Sequence, residues 1–132
     1  MLPTLTLLDL TLCIHRFPPD IPLPLDLAKK SRFLSITLTP EELSVVCDSS
    51  VSLDSPRSER GWSCLKVLGP LEFSLTGILS GITSVLAKEE ISIFALSTFD
   101  TDYILIPSSR ASQAVEALKQ AGYPFVKKSG KK

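Results

Sequence analysis

From Cys64 to Lys127 the spacing of apolar residues switches repeatedly between a period of two and a period near 3.6, and few chain paths satisfy such a pattern. Residues 64–68 form a short apolar strand. Leu75, Ile78, Leu79, Ile82, Val85 and Leu86 then recur at steps of three and four, one face of an amphipathic helix that Ser74 is placed to cap. Residues 91–96 are a continuous apolar run, as a central strand would be, and residues 103–106 are another, joined by a polar turn from Ser97 to Asp102. Ser109 can cap a second helix with Ala111, Ala114, Val115 and Leu118 on one face, and Gly122 suits the left-handed position after its last turn. Residues 124–127 supply a last strand. The order β-α-β-β-α-β predicts an α+β fold with helices on one face of an antiparallel sheet, the split β-α-β arrangement.

The first half has strands without long helices. In residues 4–17, Leu8, Leu10, Leu12 and Ile14 alternate with Asp9, Thr11, Cys13 and His15, which reads as one bent strand or a hairpin. Pro18, Pro19, Pro22 and Pro24 follow within seven residues and force a loop, because each lacks an amide donor and fixes φ. A short helical turn over residues 25–30 leads to a strand over residues 32–39. Pro40, Glu41 and Glu42 turn it back into residues 43–47 as an antiparallel hairpin. Residues 48–61 are rich in Ser, Asp, Arg and Glu and read as an exposed linker between two halves.

The chain has 132 residues, enough for one domain or two very small units sharing a core. Apolar residues make up 44% and charged residues 21%, and the mean hydropathy is +0.25, so a core can form. Fourteen basic residues balance fourteen acidic ones, and four of the basic ones fall in the last six positions; without them the chain is acidic, which argues against a nucleic-acid partner. No run approaches the roughly 18 apolar residues of a membrane span, no basic residue precedes the apolar start, and there is no Asn to glycosylate. Cys13, Cys47 and Cys64 are odd in number and widely spaced, with no C-x-x-C and a single histidine, His15. These features predict buried free thiols, no metal, no cofactor and a cytoplasmic location.

Chemistry is sparse. Asp100 and Asp102 share one turn, where Asp serves either local backbone capping or a ligand. A Ser-His-Asp triad would need His15, and no serine sits in G-x-S-x-G; Gly69, Gly77 and Gly81 fit no phosphate-binding loop. The turn at 97–102 and the start of the first long helix can lie near each other at one sheet edge. Helix-start amides favour a carboxylate and the turn carboxylates favour a cation, a pairing that suits a zwitterion. Gly77, inside the helix in this reading, gives up some helix stability for close backbone approach, and Phe99 needs packing to justify an exposed turn.

Leu75, Thr76, Gly77, Ile78 and Leu79 at the helix start, with Ser97, Thr98, Phe99, Asp100, Thr101, Asp102, Tyr103, Ile104 and Leu105, resemble an ACT domain. More narrowly, the chain resembles small tandem-ACT proteins related to the regulatory ACT domains of aspartate kinase and to the CASTOR arginine sensors. Residues 33–47 and 61–77 share the likeness, which extends over roughly residues 5–125. The resemblance implies ferredoxin-like tandem units: an ACT-like unit of reduced helix content over residues 1–60, an ACT unit over 61–127 and a basic tail over 128–132. It also implies a non-catalytic sensor or regulatory module that binds an amino acid. By the same resemblance the ligand-binding residues are Thr98, Phe99, Asp100, Thr101 and Asp102 in the turn, Gly77, Ile78 and Leu79 at the helix start with Glu72 upstream, and Ser44 and Val45 on the facing edge of the first half. The chain has two such units where the CASTOR sensors have four, so a four-unit arrangement implies a homodimer, together with a regulated protein partner. The alternative is an interaction module that dimerises through its sheets or helices without a ligand.

Overall fold

The structure is a computed structural model that describes residues 2–23, 26–68 and 77–127. It divides into two compact units, Leu10–Trp62 on one hand and the residues up to Asp9 together with those from Ser63 on the other. The first strand therefore packs with the C-terminal part of the chain, whereas the sequence reading groups it with residues 1–60.

In the Leu10–Trp62 unit, β2 (Leu12–Phe17) is followed by a one-turn helix α1 (Leu27–Lys30), β3 (Leu34–Leu38) and β4 (Leu43–Asp48). β3 and β4 form the expected antiparallel hairpin, with Leu34 opposite Cys47 and Leu38 opposite Leu43. Thr39 closes it: its Oγ1 accepts the amides of Glu41 and Glu42, each at 3.2 Å, doing the work that Pro40 cannot as a donor. β2 lies on the other side of β4. Phe17, Leu27, Leu43, Val45, Cys47 and Val51 make the core.

Cys13 is buried on β2 as expected, behaving as a small apolar group, and His15 and Phe17 are buried beside it, His15 with a polar partner. One expectation fails in this unit. Residues 57–61 are not linker but the start of an eleven-residue strand, β5 (Arg57–Val67), paired to β2 with Glu59 opposite Ile14 and Trp62 opposite Leu12. Ladder pairing uses only backbone, so the four exposed side chains of residues 57–60 keep a polar composition that, with Gly61, reads as loop. The register slips between these pairs, and Gly61 sits there with φ +80°, the left-handed conformation of a glycine bulge.

In the second unit, β1 (Leu5–Leu7) pairs antiparallel with the end of β5, Leu5 opposite Val67. Then come α2 (Ile78–Lys88), β6 (Phe94–Ser97), β7 (Asp102–Pro107) and α3 (Ala111–Gln120), with β7 between β5 and β6. Leu65, Val67, Ile104 and Ile106 from the strands meet Ile82, Leu86, Ala114 and Leu118 from the helices, so both helices cover one sheet face as expected. Phe125 adds a parallel bridge to Leu5 in place of the full last strand; Leu5 donates to Pro124 O at 2.8 Å and Val126 donates to Leu5 O at 3.0 Å.

Boundaries move where side-chain pattern and backbone geometry part. Ile91 is buried but lies outside β6, since it packs as the residue after a helix end. α2 starts at Ile78, with Gly77 as its left-handed N-cap residue at φ +81° and not inside the helix; Ser74 and Leu75 lie outside the described residues. Ser109 falls within a 3-10 turn, Ser108–Arg110, and caps nothing.

Both helices end in the same motif. After α3, Gly122 N–H bonds Lys119 O at 3.0 Å and Tyr123 N–H bonds Leu118 O at 3.0 Å, with Gly122 at φ +103° and Tyr123 buried against the core, as its glycine implies. After α2, Glu90 N–H bonds Ala87 O at 2.9 Å and Ile91 N–H bonds Leu86 O at 3.1 Å, but the left-handed residue is Glu90 at φ +58°. A β-carbon in that conformation costs about 1 kcal/mol or somewhat more. Glu90→Gly is therefore expected to raise the urea midpoint, by about 1 kcal/mol in unfolding free energy; a lower midpoint would show that the exposed Glu90 side chain makes up the difference.

Candidate functional site

The connection between β6 and β7 is built to be rigid. Ser97 and Asp102 close the ladder opposite one another. Within the turn, Thr98 N–H donates to Thr101 O at 2.8 Å, Thr98 Oγ1 donates to the same oxygen at 3.1 Å, and Thr101 N–H returns a bond to Thr98 Oγ1 at 3.4 Å. Thr101 is only 4% exposed, and its hydroxyl donates to Val67 O at the end of β5. The turn is thus pinned to the strand that leads toward α2. Pinning its base pushes its tip outward: Phe99 is 80% exposed and Asp100 is exposed beside it. Asp102 is half-buried, and its Oδ1 accepts the Ser97 hydroxyl at 2.6 Å.

Charge of both signs surrounds this turn. Lys66 Nζ stands 5.9 Å from the centroid of the Tyr103 ring. Burial pushes the Tyr103 hydroxyl up, and Cys64 and the Asp100 carboxylate push it further, so Asp100 acts on this neighbourhood electrostatically. The pair of acids with a lysine and an aromatic ring can take an ammonium or guanidinium at one end and a carboxylate at the other.

At the start of α2 no side chain caps the first-turn amides, and Gly81 N–H already bonds Gly77 O at 2.9 Å. Ile78 and Leu79 turn their side chains onto the core, which leaves their backbone as what a ligand could use. Gly77 keeps φ +81°, a conformation that suits glycine alone at low cost. Glu72 lies outside the described residues. Ser44 and Val45 belong to the other unit, on β4; Val45 is fully buried in that unit's core, and both residues are paired on both sides, to β2 and to β3. Sequence reasoning missed Ser97, which holds Asp102, and the Val67 carbonyl, which holds Thr101; the first was visible in the turn motif, the second only through the fold.

His15, the one conventional catalytic residue type singled out, is 3% exposed in the Leu10–Trp62 unit. Its Nδ1 meets Ser55 Oγ at 2.7 Å, its ring stacks near Phe17, and its Nε2 is buried without a hydrogen-bond partner. Among the described residues no group of three or more His, Cys, Asp or Glu side chains is arranged to hold a metal. No helix there is long and apolar enough to cross a membrane.

Burial, and after it the Arg60 charge, hold His15 below its ordinary value of 6.5. The unfolded chain therefore binds the proton first, and stability falls as pH drops through about 6.5 toward the folded value. His15 is the chain's only histidine, so this step stands apart from that of Asp48. Burial raises the Asp48 carboxyl, but bonds from Arg32 and Ser50 outweigh it and hold the group below 3.8, so its contribution is lost only under that pH. Urea midpoints at pH 7.5 and 5.5 should differ for the parent chain and coincide for His15→Gln; equal slopes in both would remove His15 as the cause.

Comparison with known proteins places this geometry. The ACT domain family profile matches residues 57–120. The cytosolic arginine sensor for mTORC1 subunit 1 of Pongo abelii is 28% identical over 123 residues, 87% of this chain and 37% of the sensor. The crystal structure of protein Atu0741 from Agrobacterium tumefaciens is 34% identical, superposes with TM-score 0.86 and covers 98% of this chain and 96% of its own. The regulatory subunit of aspartate kinase from Thermus thermophilus, at 15% identity and TM-score 0.57, shares the fold over 87% of this chain and 95% of that one. This chain spans between about a third and just over half the length of the curated relatives it matches. The β-α-β-β-α order of this stretch and the family match therefore agree on one assignment: residues 57–120 belong to the ACT domain family.

Proposed function

We propose that the chain is a non-catalytic regulatory module that binds an amino acid at the 97–102 turn. The observation that carries this reading is the Thr101 hydroxyl bonded to Val67 O, which fixes a turn bearing Asp100 and Asp102 at the strand end leading toward α2. Backbone amides at Ile78 and Leu79 take the α-carboxylate, and Asp102, already oriented by Ser97, takes the amine or a basic side chain. The named function of the arginine sensors makes basic amino acids the first ligands to try. A cytoplasmic homodimer that passes the signal to a protein partner is the assembly this reading favours.

The test is thermal unfolding of the full chain against the twenty amino acids. A ligand at 100 times its Kd stabilises the native state by about 2.7 kcal/mol, several degrees for a domain of this size. A shift confined to one amino acid or one charge class supports the reading, and no shift with any of them counts against it.

A ligand-free dimerisation module is favoured by one separate feature. β3 ends the strand order, residues 33–39 carry no charge, and Ile36 and Leu38 are 46% and 64% exposed, so this edge lacks the usual protection against pairing. If Ile36→Lys converts a dimer to monomer while no amino acid shifts the parent midpoint, this second reading holds.

A further inference from the structure

We propose that Cys13 and Cys47 are a disulfide-forming pair, so that mild oxidation fastens β2 to β4. The two residues are direct cross-strand partners in the antiparallel ladder. Ser49 N–H bonds Thr11 O at 2.8 Å, two pairs of residues further along the same register. Pair types alternate along such a ladder, which makes Cys13 and Cys47 a hydrogen-bonded pair with Cα atoms about 5.5 Å apart and side chains on one face. That Cα separation lies in the range a disulfide spans, about 4.4–6.8 Å, while the Cβ atoms of such a pair, about 5.5 Å apart, must close by about 1 Å for the bond to form. Both thiols are free.

A second observation separates this pair from an ordinary buried thiol. Arg60 Nη1 lies 3.9 Å from Cys13 Sγ while its Nη2 bonds Ser49 O at 3.2 Å, so the guanidinium lies over the pair from β5. Arg60 is solvent-exposed, which places the Cys13 sulfur one side chain beneath the surface. The ladder is already irregular there, since the Gly61 bulge falls opposite Cys13. Burial holds the Cys13 thiol above its ordinary value although Arg60 and Ser58 pull it down, and burial, Cys13 and Asp48 raise Cys47 against the Arg60 charge, so both feel the guanidinium and Cys13 alone has hydrogen-bonding help toward thiolate. Cys64 is the internal control: it is fully buried in the other unit, no cysteine stands opposite it, and burial pushes its thiol up to about 12.

A peroxide is the oxidant small enough to pass Arg60. The Cys13 thiolate attacks one oxygen of hydrogen peroxide, the O–O bond breaks, and the departing hydroxide takes the thiol's proton as water, leaving a sulfenic acid. The Cys47 sulfur then attacks Cys13 Sγ, forming S–S and breaking S–O, and the hydroxyl leaves with the Cys47 proton as a second water. Two thiols lose two electrons and one peroxide is reduced to two waters. A thiol reductant reverses the cross-link.

The full chain is treated with hydrogen peroxide at a dose that oxidises free cysteine in the same tube, then digested without reduction. The expected product is a peptide pair joined through Cys13 and Cys47 and lighter by two hydrogens, reversible by dithiothreitol, with an unfolding midpoint several degrees higher before reduction. Cys64→Ala should leave this product intact and Cys47→Ala should abolish it. Unmodified Cys13 and Cys47, a cross-link through Cys64, or sulfinic acid at Cys13 without the link in the parent chain would each overturn the assignment, whatever the variants' folding.

Discussion

Leu86→Ala is expected to lower the unfolding free energy by about 2–5 kcal/mol, the range for a buried leucine whose cavity closes only in part. Leu86 is fully buried between α2 and the β5–β7 sheet face, among Ile82, Ile104 and Leu118. Its carbonyl also accepts the amides of Glu89 and Ile91, both at 3.1 Å, and Ile91 packs into the same core. These backbone bonds remain in the variant, so the loss reports the packing of the core. Against a typical total of about 5–15 kcal/mol, the loss is a large share of stability. Urea unfolding followed by circular dichroism reads it; a change under about 1 kcal/mol would mean that the core re-packs around the gap or that α2 contributes little to cooperativity.

Asp102→Ala separates binding from folding. The side chain is half-buried, and its bond from Ser97 is the kind of near-surface contact whose loss costs about 0.5–1 kcal/mol, so the ligand-free midpoint should move little. If Asp102 receives the cationic group, its removal should weaken binding more than tenfold, about 1.4 kcal/mol or more, and erase the ligand-induced thermal shift. Thr101→Val gives the complementary result. It keeps the shape but leaves Val67 O without its donor, so both the ligand-free midpoint and the affinity fall. An Asp102→Ala chain that keeps the full shift would remove Asp102 from the site while leaving the turn's structural role untouched.

The turn itself was legible because it is local. Ser97, Thr98, Thr101 and Asp102 are polar residues at turn spacing between two apolar runs, and their bonds to one another span at most five positions. Ser44 and Val45 show the opposite case. They fall in an alternating apolar segment, so the sequence reports a strand there but not that the strand is paired on both sides and that Val45 lies in its unit's core. The expected linker at residues 48–61 failed for the same reason in reverse: Arg57, Ser58, Glu59 and Arg60 give no apolar signal, and their strand exists through backbone pairing to β2.

What the sequence determined by itself is the order of elements in the C-terminal part, the β3–β4 hairpin, the burial of three free cysteines and the position of Gly122, each set by periodicity or by the φ preference of one residue within a few neighbours. Only the tertiary structure decided that β1 joins the C-terminal part, that Thr101 is bonded to Val67, and that Cys13 faces Cys47 beneath Arg60. Those contacts link residues about thirty or more positions apart, and strand partners are selected by the total burial of all the surfaces they cover, which no local window of residues encodes.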